Sequence, residues 1–337
     1  MNLLLVTYEY PPDVGGVANY LGGLFSAIPN ARVLKLRQPK VPFAWLLDLP
    51  KLWRAAKTAD VVVVSHLLPL GTAAMLLGKP YVVIVHGLDL RLAKRKKVLA
   101  SRVLAKAKLV VANSRSTAAE LPAFGFGAER ALVLTPAIDA FWETLETQAS
   151  EKPRGAEKTV LGVGRFVVRK GFDRLIRLLP KLRERCGDVL LILAGAGTEE
   201  RNLRMEAEKI GMSAHVKFVI APDLPTLAAQ YWASDVFALP ARESKDDVEG
   251  FGIVFLEAAL FGKPVVAMRT GGTPEAVEDG VTGLLADPKS EDDFLEKLAR
   301  VLNDQGLGKR LGAAGRDRVL RDFRWPDRAK KLLQKLS

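Results

Sequence analysis

Pro240-Ala-Arg-Glu-Ser-Lys-Asp-Asp-Val-Glu-Gly-Phe-Gly-Ile-Val-Phe-Leu-Glu257 joins two apolar runs of different character. The run before it, Asp235 to Leu239, is short and almost wholly apolar, as in a strand buried on both faces. The run that closes it, Ile253 to Phe261, has the length and composition of a buried helix. Between them lie a charged loop, the pair Gly250-x-Gly252, and two glutamates, Glu249 and Glu257. A helix that opens on glycines presents free backbone N–H groups, which suit an anion or sugar hydroxyls. Carboxylates beside such an opening suit hydroxyl recognition or the stabilisation of positive charge.

The same strand–loop–helix unit recurs on either side. Towards the N-terminus, strands are expected at Asn2–Tyr8, Arg32–Leu36, Asp60–Ser65, Tyr81–His86, Lys108–Asn113 and Ala131–Thr135. A second series runs Thr159–Val163, Val189–Ala194, Val216–Ile220, Val236–Leu239, Pro264–Ala267 and Gly283–Leu285. Helical stretches separate them, so each series predicts a parallel, doubly wound α/β sheet. The polar stretch Glu146 to Glu157, with Pro153 and Gly155, reads as the linker. Two domains are therefore expected, 1–150 and 151–321. Open parallel sheets take ligands at the carboxyl ends of their strands, so the expected site is a cleft between the domains.

The totals narrow the class. The single cysteine, Cys186, rules out an intramolecular disulfide and fits a reducing compartment. Three histidines and one cysteine provide no zinc-type ligand cluster. No apolar run approaches the roughly 20 residues that span a bilayer, and the N-terminus lacks a signal-peptide pattern. The net charge is +12. Residues 1–150 hold 18 Lys+Arg against 10 Asp+Glu, and residues 151–337 hold 32 against 28, so the excess lies in the first half. Such a surface suits nucleic acid, a phosphorylated ligand or an anionic membrane.

Several candidates follow strands. Gly15-Gly16 either lets backbone amides meet a phosphate or makes a tight turn after Pro11-Pro12. Gly164-Arg165-Phe-Val-Val-Arg169-Lys170-Gly171 brings Arg165 and Lys170 near a helix start, where they suit a diphosphate or form a solvated basic loop. It fails the Walker pattern. Gly195-Ala-Gly197 hints at a dinucleotide fingerprint, but Glu200 stands where the third glycine belongs, so the pair reads rather as a strand–helix turn near the nucleotide. His86-Gly-Leu-Asp89 places a histidine at a strand end, for a sugar or for structure. Val41 to Lys57 mixes Phe43, Trp45, Leu46, Leu47, Leu49, Leu52 and Trp53 with Lys51, Arg54 and Lys57. Arg91 to Lys108 holds eight basic residues, with no acid between Asp89 and Glu120. Together they read as an interfacial docking surface, or else as a core-facing helix and a solvated face.

Taken in order, these positions resemble the retaining glycosyltransferases of the GT-B fold, family GT4. The resemblance rests on Pro11-Pro12…Gly15-Gly16…Tyr20, His86-Gly-x-Asp89, Gly164-Arg165…Arg169-Lys170-Gly171 and Glu249-x7-Glu257. It continues through Gly262-Lys-Pro-Val-Val-Ala267, Gly271-Gly272-x-Pro274-Glu275 and Asp279-Gly280-x-Thr282-Gly283-Leu-Leu285. Leu239-Pro-Ala-Arg242…Asp247-Val-Glu-Gly-x-Gly-Ile-Val-x-Leu-Glu257 and Tyr8-Glu9-Tyr10-Pro-Pro are similar to the PimB-type phosphatidylinositol mannoside mannosyltransferases.

That resemblance implies two Rossmann-like domains and a C-terminal helix, about 322–337, crossing back onto the first. It implies GDP-mannose as donor and an anionic lipid or glycolipid such as a phosphatidylinositol mannoside as acceptor. Arg165 and Lys170 would hold the diphosphate, Glu257 the ribose, and the amides of Phe251, Gly252 and Ile253 the sugar or phosphate. Glu249 and His86 would face the sugar. Gly15 and Gly16 would close on the distal phosphate, and Val219-Ile220 would flank the base. No cofactor and no catalytic metal are expected. Asp246-Asp247 is not an Asp-x-Asp motif and reads as acceptor or loop chemistry. The location expected is cytoplasmic, peripheral on the inner face of the cell membrane through the basic first domain. The alternatives are a UDP-sugar transferase serving polysaccharide or lipopolysaccharide synthesis, a UDP-sugar 2-epimerase, and a non-catalytic binding protein. A nucleic-acid partner is not expected, because no DNA or RNA motif is present.

Overall fold

The computed structural model describes residues 1–13, 15–38, 44–148, 157–243 and 248–337. They form two units, Met1–Ala137 with Arg324–Ser337, and Ile138–Phe323. Each expected strand is present. In the first unit they are β1 (Leu3–Thr7), β2 (Arg32–Lys35), β3 (Val61–Val64), β4 (Tyr81–Val85), β5 (Leu109–Ala112) and β6 (Leu132–Val133). They form one parallel sheet in the order β2-β1-β3-β4-β5-β6. The valine runs of β3 and β4 are completely buried, as expected where helices cover both faces of a sheet. Edge strand β2 is short and shows Arg32 and Lys35 to solvent, which discourages pairing with another chain.

The second unit holds β7 (Lys158–Val163), β8 (Val189–Gly195), β9 (Val216–Ile220), β10 (Val236–Leu239), β11 (Val265–Met268) and β12 (Gly283–Ala286). They too form one parallel sheet, in the order β12-β11-β10-β7-β8-β9. Both sheets reverse direction once. The first turns between β1 and β3, and the second between β7 and β10. Ligands of open α/β sheets sit outside the strand ends at such a reversal, because helices leave there to opposite faces.

The division between units lies at Ala137–Ile138, ahead of the boundary expected near residue 150. Helix Ala140–Gln148 goes with the second unit because its Trp142 is buried edge-on against Tyr231 and Phe261. Most of the expected linker, 149–156, lies outside the described residues. Helix Trp325–Leu336 belongs to the first unit. There Trp325 packs edge-on against Tyr20 at 5.4 Å, and Arg328 donates to the Thr135 carbonyl at 3.1 Å.

Candidate functional site

At the reversal of the second sheet, β7 runs into Gly164–Gly171 and β10 into the loop that carries Glu249. Lys170 is buried, and its Nζ donates to Glu249 Oε2 at 2.8 Å. Arg169 pairs with the same oxygen. Burial opposes the Glu249 charge, but the two cations outweigh it and hold the carboxyl near 2. Burial, set against Glu249, draws the Lys170 ammonium below its ordinary value. Arg242 forks onto Asp173 and donates to the Val168 carbonyl at 3.1 Å, which ties the Arg169–Lys170 segment to the β10 exit.

The glycines fix this geometry. Gly171 has φ 71°, and a Cβ there would lie 2.1 Å from the Pro240 carbonyl oxygen. Gly271 and Gly272 back the Glu249 loop just as closely, and Gly272 N donates to the Glu249 carbonyl at 3.0 Å. Gly195 and Gly197, which hinted at a dinucleotide fingerprint, instead admit protein backbone. A Cβ at Gly195 would strike the Gly164 carbonyl and one at Gly197 the Phe166 backbone, while Phe166 N donates to Ala196 O at 2.8 Å. Helix Ile253–Leu260 opens on Gly252, and no acceptor among the described residues meets the N–H groups of Phe251, Gly252 or Ile253. Glu257 is buried inside that helix, where burial pushes its carboxyl up to about 7. Tyr231 Oη lies 2.7 Å from its Oε2.

The first unit gathers a different set at its own reversal. Ser65 Oγ donates to Thr7 Oγ1 at 2.8 Å and lies 2.8 Å from His66 Nδ1. His66 Nε2 is 3.9 Å from Glu9. His86 stands at the end of β4, 6.1 Å from the His66 ring and 5.3 Å from Tyr20. Its Nε2 is buried without a hydrogen-bond partner among the described residues, and burial, helped by His66, draws the imidazole down to about 3. Asp89 accepts from the backbone N–H groups of His86 and Leu67, so its carboxylate fastens the β4 exit to the segment after β3. Gly15 precedes helix Gly16–Ser26 as its N-cap.

Two family models cover nearly the whole chain. Residues 144–318 match the model described as "Glycosyl transferases group 1", and residues 3–140 match "Glycosyltransferase Family 4". The chain is a group 1 glycosyltransferase. Among its relatives is a Mycobacterium tuberculosis protein named "GDP-mannose-dependent alpha-(1-6)-phosphatidylinositol monomannoside mannosyltransferase", 31% identical over 98% of this chain and 96% of that one. A Mycolicibacterium smegmatis protein of the same name is 32% identical over 99% of this chain and 98% of its own length. Among solved structures, Anabaena HepE in complex with UDP superposes with a TM-score of 0.79 at 22% identity, over 100% of this chain and 99% of that one. The architecture of this glycosyltransferase is the GT-B fold.

Against the positions read from sequence, the structure joins Lys170 to Glu249 but leaves the Arg165 side chain exposed, without a side-chain hydrogen bond or ion pair among the described residues. Arg169 takes the direct contact with Glu249 instead. It had been read only as part of the motif, and nothing local separates the inward cation from the outward one. Val219 and Ile220 close β9, the edge strand, where Ile220 is 42% exposed. His66 belongs to no motif and Glu9 only to the Tyr8–Pro12 run, with no role read for it; the β1–β3 reversal brings them within 3.9 Å. Asp246 and Asp247 lie outside the described residues, as does Phe43. In the rest of the interfacial candidate, Leu52 is buried, whereas Leu46, Leu47 and Trp53 are exposed and Lys57 Nζ lies 4.0 Å from the Trp53 ring. Arg91 pairs with Glu120 at 3.2 Å. Among the described residues no helix is long and apolar enough to cross a membrane.

Proposed function

We propose that this glycosyltransferase moves mannose from GDP-mannose, with retention, onto an inositol lipid at the cytoplasmic face of the membrane. The observation that carries the reading is near-complete collinearity, above 30% identity, with two proteins named for GDP-mannose-dependent transfer to a phosphatidylinositol mannoside. The ionic cluster at the second sheet's reversal supports the donor side. Lys170, with Arg169 beside it and Arg165 at the loop's outer face, neutralises the diphosphate as the bond to the anomeric carbon breaks. Fixed cations lower the barrier because they need no reorganisation as that charge develops. The amides of Phe251, Gly252 and Ile253 take sugar or phosphate oxygens, and Val219-Ile220 flank the base. Glu257 accepts from the ribose hydroxyls. Glu249 holds a sugar hydroxyl and offsets positive charge at the anomeric carbon. The acceptor oxygen bonds to that carbon on the face the diphosphate leaves, and its proton passes to the departing diphosphate.

The first unit takes the acceptor. Its Gly15 and Gly16 amides serve the distal phosphate and His86 the sugar, the imidazole acting as a neutral hydrogen-bonding group. Leu46, Leu47 and Trp53, with Lys51, Arg54 and Lys57, rest on the anionic surface. The reaction draws on no metal ion and no cofactor, because the side-chain cations supply the positive charge. Radiolabelled GDP-mannose is incubated with vesicles of phosphatidylinositol or its mannosides, and labelled lipid is the expected product. Transfer from a UDP-sugar with none from GDP-mannose overturns the reading, as does epimer formation without any acceptor.

A further inference from the structure

Glu257 is 4% exposed and lies inside helix Ile253–Leu260. Its side-chain hydrogen bond comes from Tyr231, which is completely buried on helix Leu224–Ala233. The Tyr231 ring is gripped on two sides. It stacks on Phe261 at 5.5 Å and 16°, and Trp142 meets it edge-on at 5.8 Å. A ring so held has one direction for its hydroxyl, and that direction is Glu257 Oε2. Burial and the Glu257 carboxylate raise the phenol well above its ordinary value, so the O–H stays protonated and is the donor.

We propose that Tyr231 is a positioning residue for the donor: it orients the Glu257 carboxylate so that the remaining oxygen and lone pairs meet the two ribose hydroxyls, and so sets preference for a ribonucleotide. The inference rests on the assignment of Glu257 to the ribose. A carboxylate has about four acceptor positions; the phenol occupies one on Oε2 and fixes the plane of the others. The charged groups facing Glu257 from neighbouring elements are Asp139, ahead of helix Ala140–Gln148, and Lys170. They act in opposite directions, Asp139 favouring the neutral acid and Lys170 the carboxylate. The Tyr231 hydrogen bond also favours the carboxylate, the form that accepts from hydroxyls.

The test compares binding of GDP and 2′,3′-dideoxy-GDP to the whole protein across neutral pH. Terminal-phosphate titration is common to both ligands and cancels in the ratio of affinities. The unaltered protein is expected to prefer GDP by roughly tenfold or more, the range for a hydrogen bond to a charged group. That preference should rise as pH passes through about 7. Tyr231→Phe keeps the ring and its packing. It is expected to hold dideoxy-GDP as before, lose most of the preference for GDP, and move the pH rise upward. A role in packing alone would weaken both ligands alike. If Glu257→Gln abolishes the preference while Tyr231→Phe keeps its full size and pH profile, the proposal falls and the ribose assignment stands. If the unaltered protein shows no preference, the ribose assignment falls and takes the proposal with it. Should Tyr231→Phe fail to fold, Phe261→Leu, which loosens the stacked ring and keeps its hydroxyl, takes its place: an unchanged ratio of GDP to dideoxy-GDP affinity overturns the proposal.

Discussion

At the reversal of the second sheet, between β7 and β10, the side chains are ionic: Glu249 lies against Lys170 and Arg169. At the reversal of the first, between β1 and β3, they are hydroxyls and imidazoles, with Ser65 bridging Thr7 and His66. The topology is of one kind in both, so the difference lies in what each crevice is built to neutralise. Buried cations are held in place by a carboxylate until an anion arrives, and they suit a diphosphate. Hydroxyls and imidazoles beside the Glu9 and Asp89 carboxylates, with His86 Nε2 unpartnered among the described residues, suit the hydroxyls of a polyol face. Fixed charge belongs where charge develops in the reaction, and costs stability anywhere else.

The largest expected effect attacks the ionic half. Lys170→Met removes the buried ammonium and leaves Glu249 with Arg169 alone. Breaking a buried ion pair from one side costs about 3–5 kcal/mol of stability, less here because Arg169 remains. Loss of one donor to developing charge lowers kcat by about 10²–10³. Urea unfolding and donor kinetics read the two separately. If both stay unchanged, charge is not what distinguishes this crevice.

Next come opposite pH slopes. Glu257 is held near 7 against an ordinary 4.5, so folding favours its neutral form. Its contribution is complete below about 4.5 and is lost as pH rises to about 7. The shift corresponds to on the order of 3 kcal/mol. His86 is held near 3 against an ordinary 6.5, so folding again favours the neutral group, but the sign reverses. Its contribution is complete above about 6.5 and is lost as pH falls towards 3. Glu257→Gln should therefore flatten the dependence of the urea midpoint between pH 4.5 and 7, and His86→Gln the dependence below 6.5. Parallel curves for both variants and the unaltered protein would erase the contrast.

The strands were legible because parallel strands are buried on both faces and so appear as unbroken apolar runs such as Val61–Val64. Glu249 and Lys170 were legible as types in an ordered pattern, since their chemistry is rare at strand exits. Which arginine meets Glu249 was not. Arg165 and Arg169 stand in one loop, and the turn Val168–Lys170 that buries Lys170 and aims Arg169 inward depends on Gly171 passing close to Pro240, far along the chain. What Gly195 and Gly197 make room for was not legible for the same reason: a glycine permits close approach but does not say by what. Tyr231 carries no motif, because its bearing on Glu257 arises only when two helices pack.

Glycine also provides the smallest effect, and the one that separates structure from ligand. At Gly171 an added Cβ strikes backbone, and the positive φ strains any other residue, so Gly171→Ala should cost about 1–3 kcal/mol and lower the thermal midpoint. Among the described residues a Cβ at Gly16 meets nothing within 4 Å, and at Gly15 its nearest neighbour is Glu9 Oε2 at 3.7 Å. Gly16→Ala should leave stability within about 0.5 kcal/mol, as surface substitutions do. The described residues therefore give no reason for glycine at position 16. If Gly16→Ala keeps the thermal midpoint but weakens use of GDP-mannose, the missing side chain makes room for the ligand, as the phosphate assignment requires. If it keeps both, the amides after Pro11-Pro12 only turn the chain, and the first unit's reversal owes its ligand to His66, Glu9 and His86 alone.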